Sequence, residues 1–578
     1  MKKPILLFSV CALLMACGGG KKDNGAQIVE LKGGVNGGGI FKINEVEDFK
    51  TFYPLSINDA TSHRIASQIY QGLLKFDQKT LDVVPCLAEK MDINADATVF
   101  TFHLKKGVKF HSDDCFGGGS REMTADDVKY CLDRICEANP ENKVYWLFQG
   151  KVKGSEEYYQ STVSGKPLQG GVSGIKAVDD HTVEITLNFS FSAFPKIIAH
   201  SGCWIYPKEA WDRYKSEMRT HCVGTGPFVV KQIKEGNMVL LEKNTNYWET
   251  DEHGNKLPYL QGVKVTFYKE KKTELEQFRK QNLDMVWKLP VDEIPSVLAS
   301  LDDAKKGVNI EFEIQQSSAL SIQFYGFQTQ SEVFKDKRIR QAFNYAIDRE
   351  KLVMYTLQGE GDPAIYGFVP PFGNYPHENI HGFTFDPDRA RALMADAGYP
   401  SGRGFPNVTL QLNSGGTTNE LLAQAVKSQL EENLGVKVSL ELMPLNQLIE
   451  NFELGKAEFW RSAWIADYPD PENFLNLFYG KNVPSDPNAK SYINFARYIN
   501  PQYDSTFEAA LKTTDEKQRL ELFAKCDQII VDEAPVMPIY YDNYIRLVQL
   551  KVRNLPINAM EYRDLSRVWF AKEDEKEK

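Results

Sequence analysis

Residues 420–443 read ELLAQAVKSQLEENLGVKVSLELM, and this stretch contains the two periodicities that decide the fold class. In its first part an apolar residue recurs at every fourth position, at Leu422, Val426, Leu430 and Leu434. This spacing predicts a helix with one apolar face, which Gly435 then ends. In its second part apolar residues alternate with polar ones, at Val436, Val438, Leu440 and Leu442. Alternation of this kind predicts a strand with one buried face.

The same two patterns alternate along the rest of the chain. Residues 98–104 (TVFTFHL) predict a half-buried strand with His103 on its surface. Helical patterns follow at 124–135, which begins with a capping-box sequence, at 335–357 and at 386–398. Strands and helices that alternate without long gaps predict a mixed α/β protein.

The first residues have the order of a lipoprotein signal. Two lysines precede a run of about ten apolar residues, which is too short for a membrane span of roughly 20. LMAC follows at 14–17. We therefore predict that 1–17 is a signal peptide with a lipobox and that Cys17 carries a lipid. The alternative is an ordinary signal in which Cys17 is only a small apolar residue. Glycines dominate 18–39, which predicts a flexible tether.

Composition and motifs exclude several classes of protein. The chain has 578 residues, 42% hydrophobic and 25% charged, which is enough for two or three domains. Its formal charge of −10 argues against a nucleic-acid partner. The sequence contains no G-x-S-x-G or G-x-x-x-x-G-K-[ST] motif, and its single H-E-x-x-H match, HENIH at 377–381, is bracketed by Pro376 and Gly382. We predict no catalytic residues, no metal site and no cofactor.

The cysteines allow disulfide bonds without fixing them. Cys11 leaves with the predicted signal and Cys17 takes the lipid, so seven of the nine remain. Cys203 with Cys222, or Cys131 with Cys136, are candidate pairs, but sequence cannot fix the connectivity. Cys131 and Cys136 are five residues apart on a predicted helix, which is a poor spacing for zinc.

Several separated segments resemble a known family. They are 69–74 (IYQGLL), 88–111 (AEKMDINADATVFTFHLKKGVKFH), 178–183 (VDDHTV), 224–228 (GTGPF), 244–248 (NTNYW), 337–349 (KRIRQAFNYAIDR), 395–400 (ADAGYP) and 464–474 (WIADYPDPENF). In this combination and order they resemble the family 5 extracellular solute-binding proteins of peptide, dipeptide and nickel ABC importers. The resemblance covers roughly residues 40 to 560. The sequence departs from the family's short turn at 112–122, which leaves the role of Cys115 open.

The resemblance implies a two-lobed periplasmic-binding-protein fold, type II or cluster C-like, with an extra domain inserted in the first lobe. Lobe I then comprises 40–73, 190–315 and 527–570, and lobe II comprises 316–526. The inserted domain is 74–189, and 571–578 is a charged tail. The lobes are expected to close on a ligand by a hinge movement.

The resemblance also implies a set of ligand contacts. An aspartate at the position of Asp467 pairs with a peptide's α-ammonium in such proteins; the alternative is that Asp467 is a turn or cap residue. Arg461 matches a position that reaches the ligand's carboxylate, or it forms an ordinary salt bridge. Trp464 is an apolar wall or a core residue. The remaining candidates are Asn58, Asp59 and Ala60, where peptide main chain binds, and Tyr145.

The expected function is capture of an oligopeptide-like or dipeptide-like solute for an ABC importer. The expected partners are the importer's permease subunits and, through the lipid anchor, a membrane. The protein is expected to be a monomer on the periplasmic side of a bacterial membrane, with the choice between inner and outer membrane open. Within the same fold, a nickel chelate, haem or an oligosaccharide is the alternative ligand. An exported enzyme or a surface receptor is the alternative of another class.

Overall fold

The structure of the chain, a computed structural model, describes residues 28–191, 193–297, 312–414 and 417–572. The predicted signal peptide and Cys17 lie outside these residues. Strands and helices alternate through the described ranges, so the prediction of a mixed α/β protein is confirmed. Within these ranges no helix combines the length and the apolar character that crossing a membrane requires.

The first sheet lies in the predicted lobe I. Its four strands, in spatial order, are Phe228–Lys234, Met238–Lys243, Gly262–Thr266 and Ile40–Asn44. The last pair is parallel and the others are antiparallel. The parallel pair joins residues that are far apart in sequence, which ties the beginning of the described chain to the middle of it.

The second sheet falls wholly within the predicted inserted domain. Its four antiparallel strands are Ala88–Ile93, Val99–Leu104, Thr182–Thr186 and Ile175–Asp179. As predicted, Phe100 and Phe102 are buried, while His103 is partly exposed and pairs with Asp92 at 2.8 Å. Alternating burial along Val99–Leu104 is what a sheet with one packed face requires.

The third and largest sheet has seven strands. Six of them form one path, in the spatial order Met285–Trp287, Val536–Gln549, Phe312–Phe327, Phe459–Ile465, Val408–Asn413 and Val438–Met443. The seventh, Asp362–Pro363, pairs with Val536–Gln549. Short two-stranded ribbons complete the strands at Val29–Glu30 with Asn36–Gly37, Leu74–Phe76 with Val83–Pro85, and Val552–Arg553 with Trp569–Phe570.

Two long antiparallel strands of this sheet, Phe312–Phe327 and Val536–Gln549, connect Met285–Trp287 at one end of the sheet to Phe459–Ile465 on the other side, and we call them the hinge strands. Between Ser318 and Ile322 their register shifts. On one side of this irregularity they continue to Met285–Trp287, and on the other side to Phe459–Ile465. Irregularities in a ladder bend a strand locally. The predicted boundary at 315/316 falls beside this point, and we retain the predicted domain division as a proposal.

Helices cover the sheets. The longer ones are Ala60–Ala66, Ala125–Ile135, Ser155–Val163, Lys208–Tyr214, Lys271–Arg279, Lys337–Tyr345, Pro387–Asp396, Thr417–Leu434, Leu445–Glu453, Pro501–Lys512 and Glu516–Glu533. Short helices at Phe194–Ile198, Arg349–Lys351 and Pro471–Leu475 punctuate the loops. The continuous helical pattern predicted for 335–357 is in fact interrupted, because Asp348 caps a new helix through the backbone N–H of Lys351.

The stretch at 420–443 folds as its periodicity predicts. The helix Thr417–Leu434 buries the four predicted apolar residues, and Gly435 follows with a φ of +70°. The strand Val438–Met443 comes next and pairs in parallel with Val408–Asn413. Leu442 differs from the prediction, since it is 46% exposed. This strand is at the edge of the sheet, where fewer neighbours cover its side chains.

Two predicted flexible segments are partly ordered. Residues 18–27 of the predicted tether lie outside the described residues, but 28–39 include a strand pair, and Asn36 is buried. At the other end Ala571 is buried and Lys572 pairs with Glu30 at 2.8 Å. The tether prediction is therefore wrong for 28–39, and the tail prediction is wrong for 571–572. The two ends of the described chain pack near each other, which glycine content alone does not reveal.

Both candidate disulfide pairs are wrong, because all seven described cysteines are free. The thiol of Cys131 donates to the carbonyl of Tyr206 at 3.1 Å, and that of Cys203 to the carbonyl of Ile197 at 3.4 Å. Burial raises the pKa of the Cys131 and Cys203 thiols far above their ordinary value. Cys115 lies in the 112–122 loop, where burial and the neighbouring Asp113 raise its pKa to about 12. These thiols behave as small packing residues.

Truncation of Phe459 tests the packing of the largest sheet. Phe459 is fully buried and stacks on Phe327, with ring centroids 5.2 Å apart. We expect Phe459→Ala to lower the free energy of unfolding by about 3–5 kcal/mol, because it leaves a cavity. Leu442→Ala, on an exposed position of the same sheet, is the matched control and should change it by less than about 0.5 kcal/mol. Urea denaturation followed by circular dichroism measures both, and similar losses would contradict the assigned core.

Candidate functional site

A deep cleft lies where the two predicted lobes meet the inserted region. It encloses ≈ 2240 Å³ of space, including the part open to solvent. One wall comes from Ile57–Gly72 and His200–Trp204, and the other from the helix Leu445–Glu453 and the strand Phe459–Ile465 with the residues that follow it. Aromatic side chains contribute much of the lining, among them Trp146, Trp204, Trp464, Phe452, Tyr492 and Phe495. A cleft of this kind suits a small organic ligand.

Asp467 lies in this cleft, directly after the strand Phe459–Ile465. The chain then turns through Tyr468 and Pro469 into the short helix Pro471–Leu475. Asp470 caps that helix by accepting from the backbone N–H of Glu472 at 3.1 Å, with Pro471 in the first turn. The cap role that Asp467 could have had is thus filled by Asp470, and the Asp467 side chain remains directed to the cleft.

Asn473 fixes the orientation of both Asp467 and Trp464. Its side-chain oxygen accepts from the Asp467 backbone N–H at 3.0 Å and from the Trp464 indole N–H at 2.9 Å. Its amide nitrogen donates to Asp467 Oδ2 at 3.3 Å. Asn473 is itself 1% exposed. One buried amide therefore holds two predicted ligand contacts in a fixed relation to each other.

The Asp467 carboxylate is charged and only weakly paired. Its Oδ1 is 3.7 Å from His200 Nε2, and its side chain is 33% exposed. His200 Nδ1 accepts from the backbone N–H of Gly202 at 2.9 Å, so a neutral His200 carries its proton on Nε2, toward Asp467. Burial acts to raise the pKa of Asp467, but His200, Asn473 and His63 together hold it below its ordinary value. The carboxylate can accept further hydrogen bonds from a cationic ligand group.

His63 faces the same region from the opposite wall. Its ring stacks on Trp204 with centroids 5.4 Å apart. Burial lowers the pKa of His63 to about 4, although the charge of Asp467 opposes that shift. His63 is therefore neutral near neutral pH, and Asp467 does not have a permanent cation as its neighbour on this side.

Arg461 and Trp464 also line the cleft. The Arg461 guanidinium donates to Asn413 Oδ1 at 3.3 Å and to Gln323 Oε1. It forms no ion pair with any carboxylate of the described residues, so the alternative of an ordinary salt bridge is wrong. Trp464 is partly buried and lies 6.5 Å from Phe495 between ring centroids. Trp464 thus both lines the cleft and packs against the core.

Asn58, Asp59 and Ala60 lie on the opposite wall of the cleft. Asp59 caps the helix Ala60–Ala66 by accepting from the Ser62 backbone N–H at 2.8 Å. Its second oxygen, Oδ2, is buried and has no hydrogen-bond partner among the described residues. Asn58 is exposed. This turn therefore presents free polar groups beside a capped helix.

Tyr145 is not among the described residues that line the cleft, so this predicted site residue is misplaced. It belongs to the single 3₁₀ turn Tyr145–Leu147 and stacks on Tyr159, with centroids 4.1 Å apart. Neighbouring residues of such a turn point in different directions, and here Trp146 faces the cleft. The resemblance therefore identified a turn at the cleft, but the residue of that turn that lines the cleft is Trp146 and not Tyr145.

The other charged residues of the cleft are mostly neutralised by one another. Arg64 pairs with Glu45 at 2.5 Å and with Glu561 at 3.2 Å, and Arg563 pairs with the same two carboxylates. Lys75 pairs with Asp564 at 3.2 Å. Asp59, Lys143 and Arg461 also line the cleft and form no ion pair with the described residues, so together with Asp467 they are the charges left to attract a ligand.

Three contributors were not identified from the sequence. Asn473 stands six residues after Asp467, inside the 464–474 segment, and lies in the first turn of the helix that Asp470 caps. His63 and His200 stand in segments without a distinctive pattern, so only the fold brings them to Asp467. Within the described residues, no group of three or more histidine, cysteine or acidic side chains is arranged to hold a metal ion.

The comparisons with known proteins agree with this geometry. Residues 82–486 match the model of the bacterial extracellular solute-binding proteins, family 5 Middle. Because this match covers more than half of the chain, the chain belongs to that family. The prediction from the quoted segments is confirmed.

Curated relatives and solved structures cover nearly the whole chain. The oligopeptide-binding protein OppA of Bacillus subtilis is 28% identical over 560 residues, 95% of both chains. The heme-binding protein A of Haemophilus influenzae is 27% identical over 500 residues, 84% of both. Helicobacter pylori DppA, an ABC transporter-associated periplasmic binding protein in complex with the peptide STSA, has a TM-score of 0.80 at 23% identity. It covers 92% of this chain and 98% of its own. The two-lobed periplasmic-binding-protein fold is confirmed.

Removal of the Asn473 amide tests how Asp467 is held. We expect Asn473→Ala to lower the free energy of unfolding by about 1–3 kcal/mol, because the partly buried Trp464 and Asp467 donors lose their acceptor. The tryptophan emission should also shift as the Trp464 indole becomes free. Asn407→Ala is the matched control, since Asn407 is exposed and bonds Ser439 at 3.2 Å. Urea denaturation followed by fluorescence makes the comparison, and equal stability of the two variants would contradict this role.

Proposed function

We propose that the chain captures a short peptide or peptide-like solute in the cleft and delivers it to an ABC importer without catalysing a reaction. The observation that carries the proposal is the Asp467 carboxylate, which is charged, faces the cleft and, among the described residues, has a 3.3 Å hydrogen bond and a 3.7 Å contact as its only partners. A peptide's α-ammonium supplies up to three donors to such a group. Relatives with peptide-binding names support this ligand class.

The rest of the cleft suits a peptide better than a single amino acid. Arg461 lies six residues before Asp467 on an extended strand, and its guanidinium has only neutral acceptors among the described residues. An extended segment of that length spans roughly 20 Å at about 3.3 Å per residue. We propose that Asp467 binds the α-ammonium and that Arg461 faces the carboxylate end. Trp464 would then cover a side chain, and Asn58, Asp59 and Ala60 would meet the main chain.

The setting of the protein follows from the same proposal. We propose a lipid anchor at Cys17 on the periplasmic side of a bacterial membrane, a monomeric binding protein, and permease subunits as its docking partners. The heme-binding relative makes haem the comparator ligand. A ligand without an ammonium would leave the Asp467 carboxylate without a cationic partner in a partly dry cleft, which is costly.

Substitution of Asp467 tests the proposal directly. The purified protein is stripped of bound ligand by unfolding and refolding, and is then mixed with a random tripeptide library, the same library N-acetylated, or haemin. We expect native mass spectrometry to show retention of free tripeptides and not of acetylated ones. For a retained tripeptide, calorimetry should show Asp467→Ala weakening binding by roughly 3–5 kcal/mol. Asp388→Ala removes an exposed carboxylate of the same lobe and should leave binding unchanged. Retention of haemin alone, or equal affinity for both variants, would refute the proposal.

The pH dependence of binding gives a second test. The pKa of Asp467 is held below its ordinary value of about 3.9, so its contribution is present at neutral pH and is lost only as the pH falls through that lower pKa. Affinity for the retained tripeptide should be constant from about pH 7 to pH 5 and fall below about pH 4. It should also fall above about pH 8, where an α-amino group loses its proton. Calorimetry at each pH measures this profile. A profile for Asp467→Asn with the same acid limb would contradict the assignment.

A further inference from the structure

The segment that carries Asp467 is joined to the opposite wall by two lysines. Lys196 Nζ donates to Asp470 Oδ2 at 3.0 Å and to the carbonyl of Pro469 at 3.0 Å. Lys151 Nζ lies 3.5 Å from Glu472 Oε1. Both carboxylates belong to the predicted lobe II, whereas Lys196 belongs to lobe I and Lys151 to the inserted region. All four side chains are absent from the described lining of the cleft, so they hold the walls together from outside the ligand space.

These contacts are buried, and their carboxylates more deeply than their lysines. The Asp470 side chain has no exposed surface, the Glu472 side chain is 1% exposed, and the Lys151 side chain is 7% exposed. Lys196 keeps 30% exposure. Ion pairs shielded from water interact much more strongly than surface pairs. Separation of the two walls would return the lysines to water and would leave the carboxylates behind.

The carboxylates keep partners within lobe II when the walls part. Asp470 accepts from Arg519 at 2.9 and 2.6 Å and caps the helix Pro471–Leu475. Burial acts to raise the pKa of Asp470, but Lys196 and Arg519 hold it far below its ordinary value. Glu472 accepts from the Tyr468 hydroxyl. The carboxylates on the lobe II side are therefore held in place without the lysines, and only Lys196 and Lys151 gain or lose partners when the walls move.

We propose that Asp470 and Glu472 are positioning residues that form, with Lys196 and Lys151, an interlobe lock. Closure brings the two lysines into contact with the two carboxylates. Because Asp467 is only three residues before Asp470, closure also places Asp467 beside His200. The lock holds the closed conformation, and its strength sets how slowly a captured ligand leaves. It acts on the ligand only through Asp467 and the closed walls.

The lysine side offers variants that leave the two carboxylates intact. Lys196→Met, Lys151→Met and the double variant are compared with Lys208→Met, which removes a lysine whose only ion-pair partner among the described residues is the exposed Asp212. Lys196→Met is the variant safest for folding, because Asp470 retains Arg519. Small-angle X-ray scattering measures the radius of gyration with and without ligand, and thermal unfolding measures stability. Stopped-flow fluorescence measures dissociation of a tripeptide retained from the library.

We expect the lock variants to show a larger radius of gyration than Lys208→Met and about ten-fold faster dissociation. Their unfolding midpoint without ligand should remain close to that of Lys208→Met, since the lobe II network is intact. A lock variant that matches Lys208→Met in both radius and dissociation overturns the proposal. A lowered midpoint with radius and dissociation unchanged also overturns it, because that result describes a purely structural pair. The dissociation measurement rests on the peptide function proposed above, whereas the scattering does not. A larger radius of gyration of the lock variants, together with no tripeptide binding, would therefore support the interlobe lock and contradict the proposed peptide ligand.

Discussion

The carboxylate of Asp470 is the group on which the geometry of the cleft depends. It caps the helix Pro471–Leu475 and accepts hydrogen bonds from both terminal guanidinium nitrogens of Arg519 in its own lobe. It also accepts a hydrogen bond from Lys196 Nζ in the other lobe. A buried carboxylate is tolerated only when it is surrounded by donors, and this one is. Because the helix starts at a fixed place, Asn473 is fixed as well, and through it Asp467 and Trp464. The Asp467 carboxylate, which lines the cleft, is therefore positioned through Asp470, which does not line it.

The chemistry of the cleft follows from which charges are already satisfied. Arg64, Arg563, Glu45 and Glu561 neutralise one another, and Lys75 pairs with Asp564. These groups give polarity to the wall without offering a strong attraction to either sign of ligand charge. Asp467 and Arg461 differ, because each carries a charge whose nearest partners are neutral or distant. A ligand that carries both signs, at opposite ends, is the natural complement of this arrangement.

Periodicity and the quoted segments predicted the fold well, and individual site residues less evenly. Helix and strand at 420–443 follow from side-chain spacing, since burial of one face is a local property of sequence. The segment 464–474 likewise located Asp467 and Trp464. The prediction for Tyr145 was wrong because the side of a 3₁₀ turn that faces the cleft depends on tertiary packing. The predicted cysteine pairs were wrong because the sequence does not show which thiols the fold brings together. His63 and His200 meet Asp467 only after the chain has folded.

The hinge strands have a consequence for how the molecule comes apart. The two hinge strands form ladder hydrogen bonds on both sides of the register shift between Ser318 and Ile322. Both parts of the sheet therefore depend on Phe312–Phe327 and Val536–Gln549. Unfolding of one part of the sheet would remove two central strands from the other part and would expose the strand edges that they cover. The two parts of the sheet that these strands join are therefore expected to unfold as one cooperative unit.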